Sequence, residues 1–398
     1  MEQSWRWFGP GDVVQLHAIR QAGASGVVTA LHDIPYGEVW SVADIEARKA
    51  LIAADPSLAL RWNVVESLPV HERVKLGEGD LTGIFDNYRT SMRNLAACGI
   101  KIICYNFMPV VDWTRTQLYQ PLPGGGRALR FNIHEFAAFE CFMLRRNGAE
   151  ADYSEHVLAR ARDWFEHSSE ADRDRLISTI MTGLPGAFDR YDIEGLQRML
   201  DRYRGITADV LHDHLARFLR EVVPTAVECG MRLAIHPDDP PRPLMGLPRI
   251  VSTAGDIERI LSAVDSPANG LTFCTGSLGA GVANDVPAMA KRFAGRTHFV
   301  HLRNVRKEPD GSFEEAEHLA GDTDMFAVVE TFLREEARRR ERRDATWRLP
   351  FRPDHGHELL DDVGKQSFPG YSAIGRLKGL AELRGLMTGI ARARDLPL

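Results

Sequence analysis

The chain has 398 residues, 44% of them hydrophobic, and a formal net charge of −6. That length can bury a large core within one elaborated domain, and the acidic balance lacks the basic footprint of a nucleic-acid binder. There is no charged, apolar and small-residue leader pattern and no apolar run of roughly eighteen residues, so no membrane contact is expected and the protein reads as soluble and cytoplasmic.

Ser4–Asp12 (SWRWFGPGD) is aromatic and turn-rich, and a helical stretch over Val13–Ala22 ends at Gly23. Then strands and helices alternate: strand Gly26–Leu31, helix Val42–Ala54, strand Leu60–Val65, helix Phe85–Ala97, strand Ile100–Asn106. A parallel crossover needs a connection of this length, so the βαβ rhythm predicts a parallel sheet. From Pro109 to about Asp201 the rhythm breaks. The loop Pro121–Gly126 and the charged, helically spaced Asp152–Ser178 predict an insertion or lid over about 109–201, with one barrel strand concealed inside it.

After that the alternation resumes with helix Ala208–Cys229, strand Met231–Pro237, helix Ala254–Val264, strand Gly270–Ser277, helix Val286–Phe293, strand Thr297–Asn304, helix Met325–Arg343 and strand Leu349–Gly356. The basic run Arg338–Arg343 is interleaved with helical glutamates and reads as a solvated face. Seven visible strands and the concealed one predict an α/β fold, a (β/α)8 TIM barrel spanning 1–398 as a single domain.

The last four strands carry their polar residues late: His236, Cys274, His301, and Asp354 with His355. Strand tips of a parallel barrel converge on one rim, where such folds assemble their sites. Two imidazoles, a thiolate and a carboxylate form a mixed donor set that suits Fe2+, Zn2+ or Mn2+ better than Mg2+ or Ca2+. His298 competes with His301, but three residues apart on a strand they face opposite ways, and His301 is nearer the carboxyl end. The other cysteines (Cys98, Cys104, Cys141, Cys229) form no close pair, which excludes a disulfide scaffold and leaves them as small buried hydrophobes.

Asp354-His355-Gly356-His357 packs an acid and two histidines into a turn, and the glycine turn could bring both Asp354 and His355 to the mouth. His355 is the candidate for proton transfer at neutral pH and Tyr371, on the loop after the same strand, for a second proton. His357 and His32 stand next in line. Arg303 and Arg352 are candidates for holding an anionic end of a substrate.

The segments MEQSWRWFGPGD, GVVTALHDIPYGEVW, MRLAIHPDDPP, GLTFCTGSLGA, FVHLRNV, PDHGH and PGYSAIGRLKGLAELRG closely resemble the mannonate dehydratases of hexuronate catabolism, over essentially the whole chain. The resemblance implies a xylose-isomerase-like barrel, a manganese or iron(II) ion, and dehydration of D-mannonate to 2-dehydro-3-deoxy-D-gluconate. It places metal ligands on His236, Cys274, His301 and Asp354 and proton-transfer residues on His355 and Tyr371. A homodimer or higher oligomer is expected from it, together with the long insertion. The alternative on the same barrel is a metal-dependent sugar isomerase or epimerase.

Overall fold

The computed structural model describes residues 1–182 and 192–397. In chain order the strands are β1 (Glu2–Arg6), β2 (Gly26–Thr29), β3 (Arg61–Glu66), β4 (Ile102–Tyr105), β5 (Gln117–Pro121), β6 (Arg127–Phe131), β7 (Arg232–Ile235), β8 (Asn269–Cys274), β9 (Thr297–His301), β10 (Val305–Lys307), β11 (Phe313–Glu315) and β12 (Pro350–Arg352). Eight of them close into a barrel in the order β1-β12-β9-β8-β7-β4-β3-β2, and every neighbouring pair is parallel.

The strand period of two divides the core into two layers. Outward residues such as Trp5, Val27, Val65, Ile103, Leu233, Phe273, Val300 and Phe351 join the large core beneath the surrounding helices. Inward ones, Val28, Val64, Cys104, Ala234 and Phe299, form a separate plug inside the barrel. Both faces are therefore apolar over much of each strand, which is why these segments read as continuous apolar runs rather than alternating ones.

The helices that cover the barrel include Val42–Ile52, Thr82–Ala97, Ala208–Glu228, Ala254–Ala263, Val286–Phe293 and Met325–Glu341, each within a few residues of its expected span. Several begin at side-chain caps visible in the sequence: Ser41 accepts from Asp44 N, Thr207 from Val210 N, and Thr253 forms a reciprocal capping box with Asp256. Arg339 of the basic run is buried against Glu335, while Arg338 and Arg342 remain largely exposed.

The expectation of a strand concealed in the insertion is wrong. The eighth strand is β1, inside the stretch that reads as turn-rich; it pairs with β12 through Glu2↔Pro350 and with β2 through Trp5↔Val27. Its inward residues are polar, so an apolar-run criterion passes over it. Glu2 pairs with Arg61 at 2.7 Å, and Asn63 donates to Ser4 at 2.8 Å. Only its outward face, through Trp5, shows the apolar signal.

Between β4 and β7 the chain instead forms the β5–β6 hairpin and the helices Ile133–Ala138, Glu155–His167, Glu170–Ile180 and Ile193–Arg202. The charged stretch Asp152–Ser178 thus contains one helix and most of a second, restarted by Ser169 in a capping box with Asp172. Residues 183–191 of the expected insertion lie outside the described residues. The hairpin joins β10 and β11 in an antiparallel sheet of order β10-β11-β6-β5. Phe131, Phe136, Phe139, Leu196, Val305 and Phe313 give it a core of its own, each such side chain contributing roughly 1.5–3 kcal/mol on full burial. All four of its strands belong to segments leaving the carboxyl ends of β4 and β9, so the sheet stands on the rim where the candidate residues lie. Among the described residues no helix is long and apolar enough to cross a membrane.

Candidate active site

His236 follows β7 directly, Cys274 ends β8, His301 ends β9, and Asp354 lies two residues past β12; these four strands are consecutive around the barrel. His236 Nε2 and His301 Nδ1 face each other at 3.1 Å, and each of His236, Cys274 and His301 offers a ligand atom within 4.8 Å of the others. Asp354 Oδ2 closes the group at 3.6 Å from Cys274 Sγ and 3.8 Å from His301 Nδ1. His298 is buried on the opposite face, against Gly270, where a Cβ would come within 2.3 Å of its ring. Burial first, then Arg339 and Arg232, holds its imidazole neutral, with a pKa well below the usual range.

The second contacts of this set fit a cation. His236 Nδ1 lies 2.7 Å from the Pro237 carbonyl and so carries the proton, which leaves the Nε2 lone pair aimed at His301. His301 Nε2 accepts from Arg352 Nε at 3.0 Å and lies 3.7 Å from Glu66 Oε2, so its outer nitrogen is held by the buried charge network while Nδ1 faces the group. Cys274 Sγ accepts from Ser277 N at 3.4 Å and Ser277 Oγ at 3.2 Å. Two facing imidazole nitrogens beside a sulfur and a buried carboxylate are the donor chemistry of a divalent transition ion.

Asp354 and His355 both reach the mouth, though not through the glycine. The reversal occurs at Asp354 itself, at φ 66°, a left-handed conformation that Asp tolerates better than most side chains. Gly356 serves packing instead: a Cβ there would stand 2.5 Å from the Arg376 backbone nitrogen. Gly356 N donates to Gly370 O at 2.8 Å, which ties the next loop down and seats Tyr371 beside His355. Their rings meet edge-on at 5.1 Å, and Phe8 closes the far side of Tyr371 at 4.9 Å. Burial raises the Tyr371 hydroxyl above its usual range; Arg352 opposes this only in part. His355 Nδ1 lies 3.1 Å from Glu315 Oε1, leaving Nε2 directed elsewhere, 3.8 Å from Asp354 Oδ1.

A buried charge network backs these residues. Arg352 contacts Glu66 at 2.7 and 3.1 Å, His301 Nε2 at 3.0 Å, and Asp354. Arg303 contacts Asp239 at 2.7 Å, Glu315 at 3.2 Å and Asp354 at 3.4 Å, while Arg115 bridges Asp239 and Glu315 from behind. Burial alone would raise these carboxylates. The guanidiniums outweigh it, holding Glu66 and Asp354 well below the usual range and Glu315 at about 2. Arg303 and Arg352, expected as anion binders, are thus already engaged by the protein's own carboxylates.

The pocket above this floor has an empty volume of about 430 Å³, and its walls include Arg6, Glu66, Asp112, Trp113, Asp239 and Tyr371. Sequence reasoning missed Arg6, Asp112, Asp239 and Glu315 as site residues. Glu66 ends a strand that the sequence shows, as the expected ligands do, so that signal was open to it; Arg6 ends β1, which the sequence does not announce. Glu315 lies on a short strand of the second sheet that the sequence does not announce. His32 is held neutral, at about 3, by burial and then by Arg6 and Arg48, and it is not part of the pocket wall. His357 Nε2 is bound to the Glu315 carbonyl at 2.9 Å.

The chain is a closed parallel (β/α)8 barrel that gathers ligand-type side chains, an imidazole and a phenol on its carboxyl rim. A xylose isomerase domain protein from Alicyclobacillus acidocaldarius shares the fold at a TM-score of 0.50 and 13% identity, with 98% of this chain and 99% of that one covered. The mannonate dehydratase of Streptococcus suis serotype 2 superposes with a TM-score of 0.77 at 33% identity, covering 100% of this chain and 95% of the other. The mannonate dehydratase of Chromohalobacter salexigens is 56% identical over 98% of this chain and 99% of its own. The family model for D-mannonate dehydratase (UxuA) matches residues 1–396, and the chain belongs to that family.

Proposed function

We propose that this chain removes water from D-mannonate to give 2-dehydro-3-deoxy-D-gluconate, a hydro-lyase reaction, with His355 and Tyr371 moving the protons. The observation that carries the reading is the convergence of His236, Cys274, His301 and Asp354 beside that pair, in a chain of this family. Family membership decides against the isomerase alternative. These four side chains would hold a divalent ion, manganese or iron in this reading, which when bound supplies Lewis-acid stabilisation of the negative charge developing beside the substrate carboxylate.

The chain's own groups then divide the proton work. Glu315 holds the proton of His355 on Nδ1, so Nε2 is free to take the proton from C2. Tyr371 is buried and keeps its proton at neutral pH, so its hydroxyl is suited to give that proton to the departing C3 hydroxyl. The enol that results ketonises to the 2-keto acid. Metal-free protein incubated with D-mannonate is expected to form a 2-keto-3-deoxy acid, detected chemically, only after Mn2+ or Fe2+ is restored; no product with any divalent ion would end this reading.

In the same reading residues 1–398 work as one cytoplasmic domain, with about 109–201 covering the mouth. Trp113, from that segment, stands edge-on to His355 at 5.9 Å. The protein is expected to be a homodimer or larger, consistent with the exposed apolar side chains of Tyr119, Leu360 and Val363. Light scattering at micromolar concentration checks this, and a strictly monomeric mass is the contrary result.

A further inference from the structure

The three guanidiniums of the pocket wall differ in what they have left to give. Arg303 and Arg352 each face two or more carboxylates. Arg6 has a single ion pair among the described residues, Nη1 to Glu66 Oε2 at 3.3 Å, and Glu66 is already taken by both Arg352 contacts. Arg6 is 4% exposed, and its Nε and Nη1 have no hydrogen-bond partner. It ends β1, beside β12 in the barrel, and its guanidinium lies 5.1 Å from the Phe8 ring that packs on Tyr371. A buried guanidinium with unmet donors is costly unless a ligand completes it, and its fork matches a carboxylate.

We propose that Arg6 binds the carboxylate of the substrate and makes the pocket selective for sugar acids over neutral sugars. The inference deepens the reading of mannonate as substrate and rests on it. A neutral aldose or ketose has nothing to place against this guanidinium. A sugar acid does, and pairing its carboxylate with Arg6 orients C2 and C3 toward His355 and Tyr371, which line the same pocket. Arg6 is thus a substrate-binding residue, set apart from the proton-carrying pair.

Calorimetric binding of D-mannonate and of D-mannitol, the same carbon chain with a hydroxymethyl group in place of the carboxylate, tests this with metal-loaded protein. Wild type is expected to prefer the acid, and Arg6→Gln to lose on the order of 10²–10³-fold in mannonate affinity, down to the level of mannitol. Arg6→Lys, which keeps the charge and loses the fork, is expected to fall between them and serves where the glutamine variant does not fold. An unchanged acid-to-alcohol ratio in both variants, or no acid preference in wild type, overturns the proposal. Tight mannonate binding without turnover in wild type would instead overturn the dehydratase reading and leave this one standing.

Discussion

Replacing His355 by asparagine is expected to keep the fold and the metal content yet lower turnover by on the order of 10²–10⁴-fold, the usual worth of a positioned base. The same loss is expected for Tyr371→Phe, whose ring still fills the space between Phe8 and His355. Isotope exchange at C2 separates the two roles. With abstraction reversible, Tyr371→Phe still exchanges the C2 proton with solvent deuterium, because only departure of the hydroxyl is impaired. His355→Asn does not exchange it. The opposite pattern would interchange the roles, and near-normal turnover in both variants with metal bound would remove both residues from proton transfer. Asp112 would then come before His357 and His32: it lines the pocket and burial raises its carboxyl, whereas His357 is tied to a backbone carbonyl and His32 is held neutral.

What could be read in advance follows from what each residue's signal depends on. The ligand-type residues at the ends of β7, β8, β9 and β12 were legible because each closes an apolar run, and barrel geometry alone makes successive tips neighbours. β1 was not, because Glu2, Ser4 and Arg6 turn a polar face inward and leave Trp5 as the only buried apolar mark. The loss of β1 hid Arg6 as well. Arg303 and Arg352 show the reverse error: their strand positions were right, but their partners Asp239, Glu315 and Glu66 come from distant elements, and no local pattern reveals that pairing. The second sheet was illegible for a related reason. Its short strands are joined across the insertion and the β9 loop, and its core forms only when both segments meet.

The largest stability effect is expected at Asp354, which sits among the site's imidazoles while also balancing two buried guanidiniums. In metal-free protein at pH 7, Asp354→Asn leaves Arg352 and Arg303 with less compensation. Breaking a buried pair costs roughly 3–5 kcal/mol, and the lower end applies because Glu66 still holds Arg352 and Asp239 and Glu315 still hold Arg303. Cys274→Ser removes a ligand of the same proposed metal set and leaves every carboxylate paired with these arginines in place, so it is expected to abolish metal binding while metal-free stability falls less than in Asp354→Asn. The pH dependence has a definite sign. Burial acts to raise the Asp354 pKa, but Arg352, His355, His301 and Arg303 together depress it well below normal. Its stabilising contribution is therefore fully present above the unfolded pKa of about 3.9 and is lost as pH falls through the folded value. Denaturant unfolding of the metal-free proteins should show the gap between wild type and Asp354→Asn at pH 7 narrowing only in strong acid. Equal stability of the two at pH 7 would remove Asp354 as the counter-ion of the arginines, and full metal content in Cys274→Ser would remove that cysteine from the site.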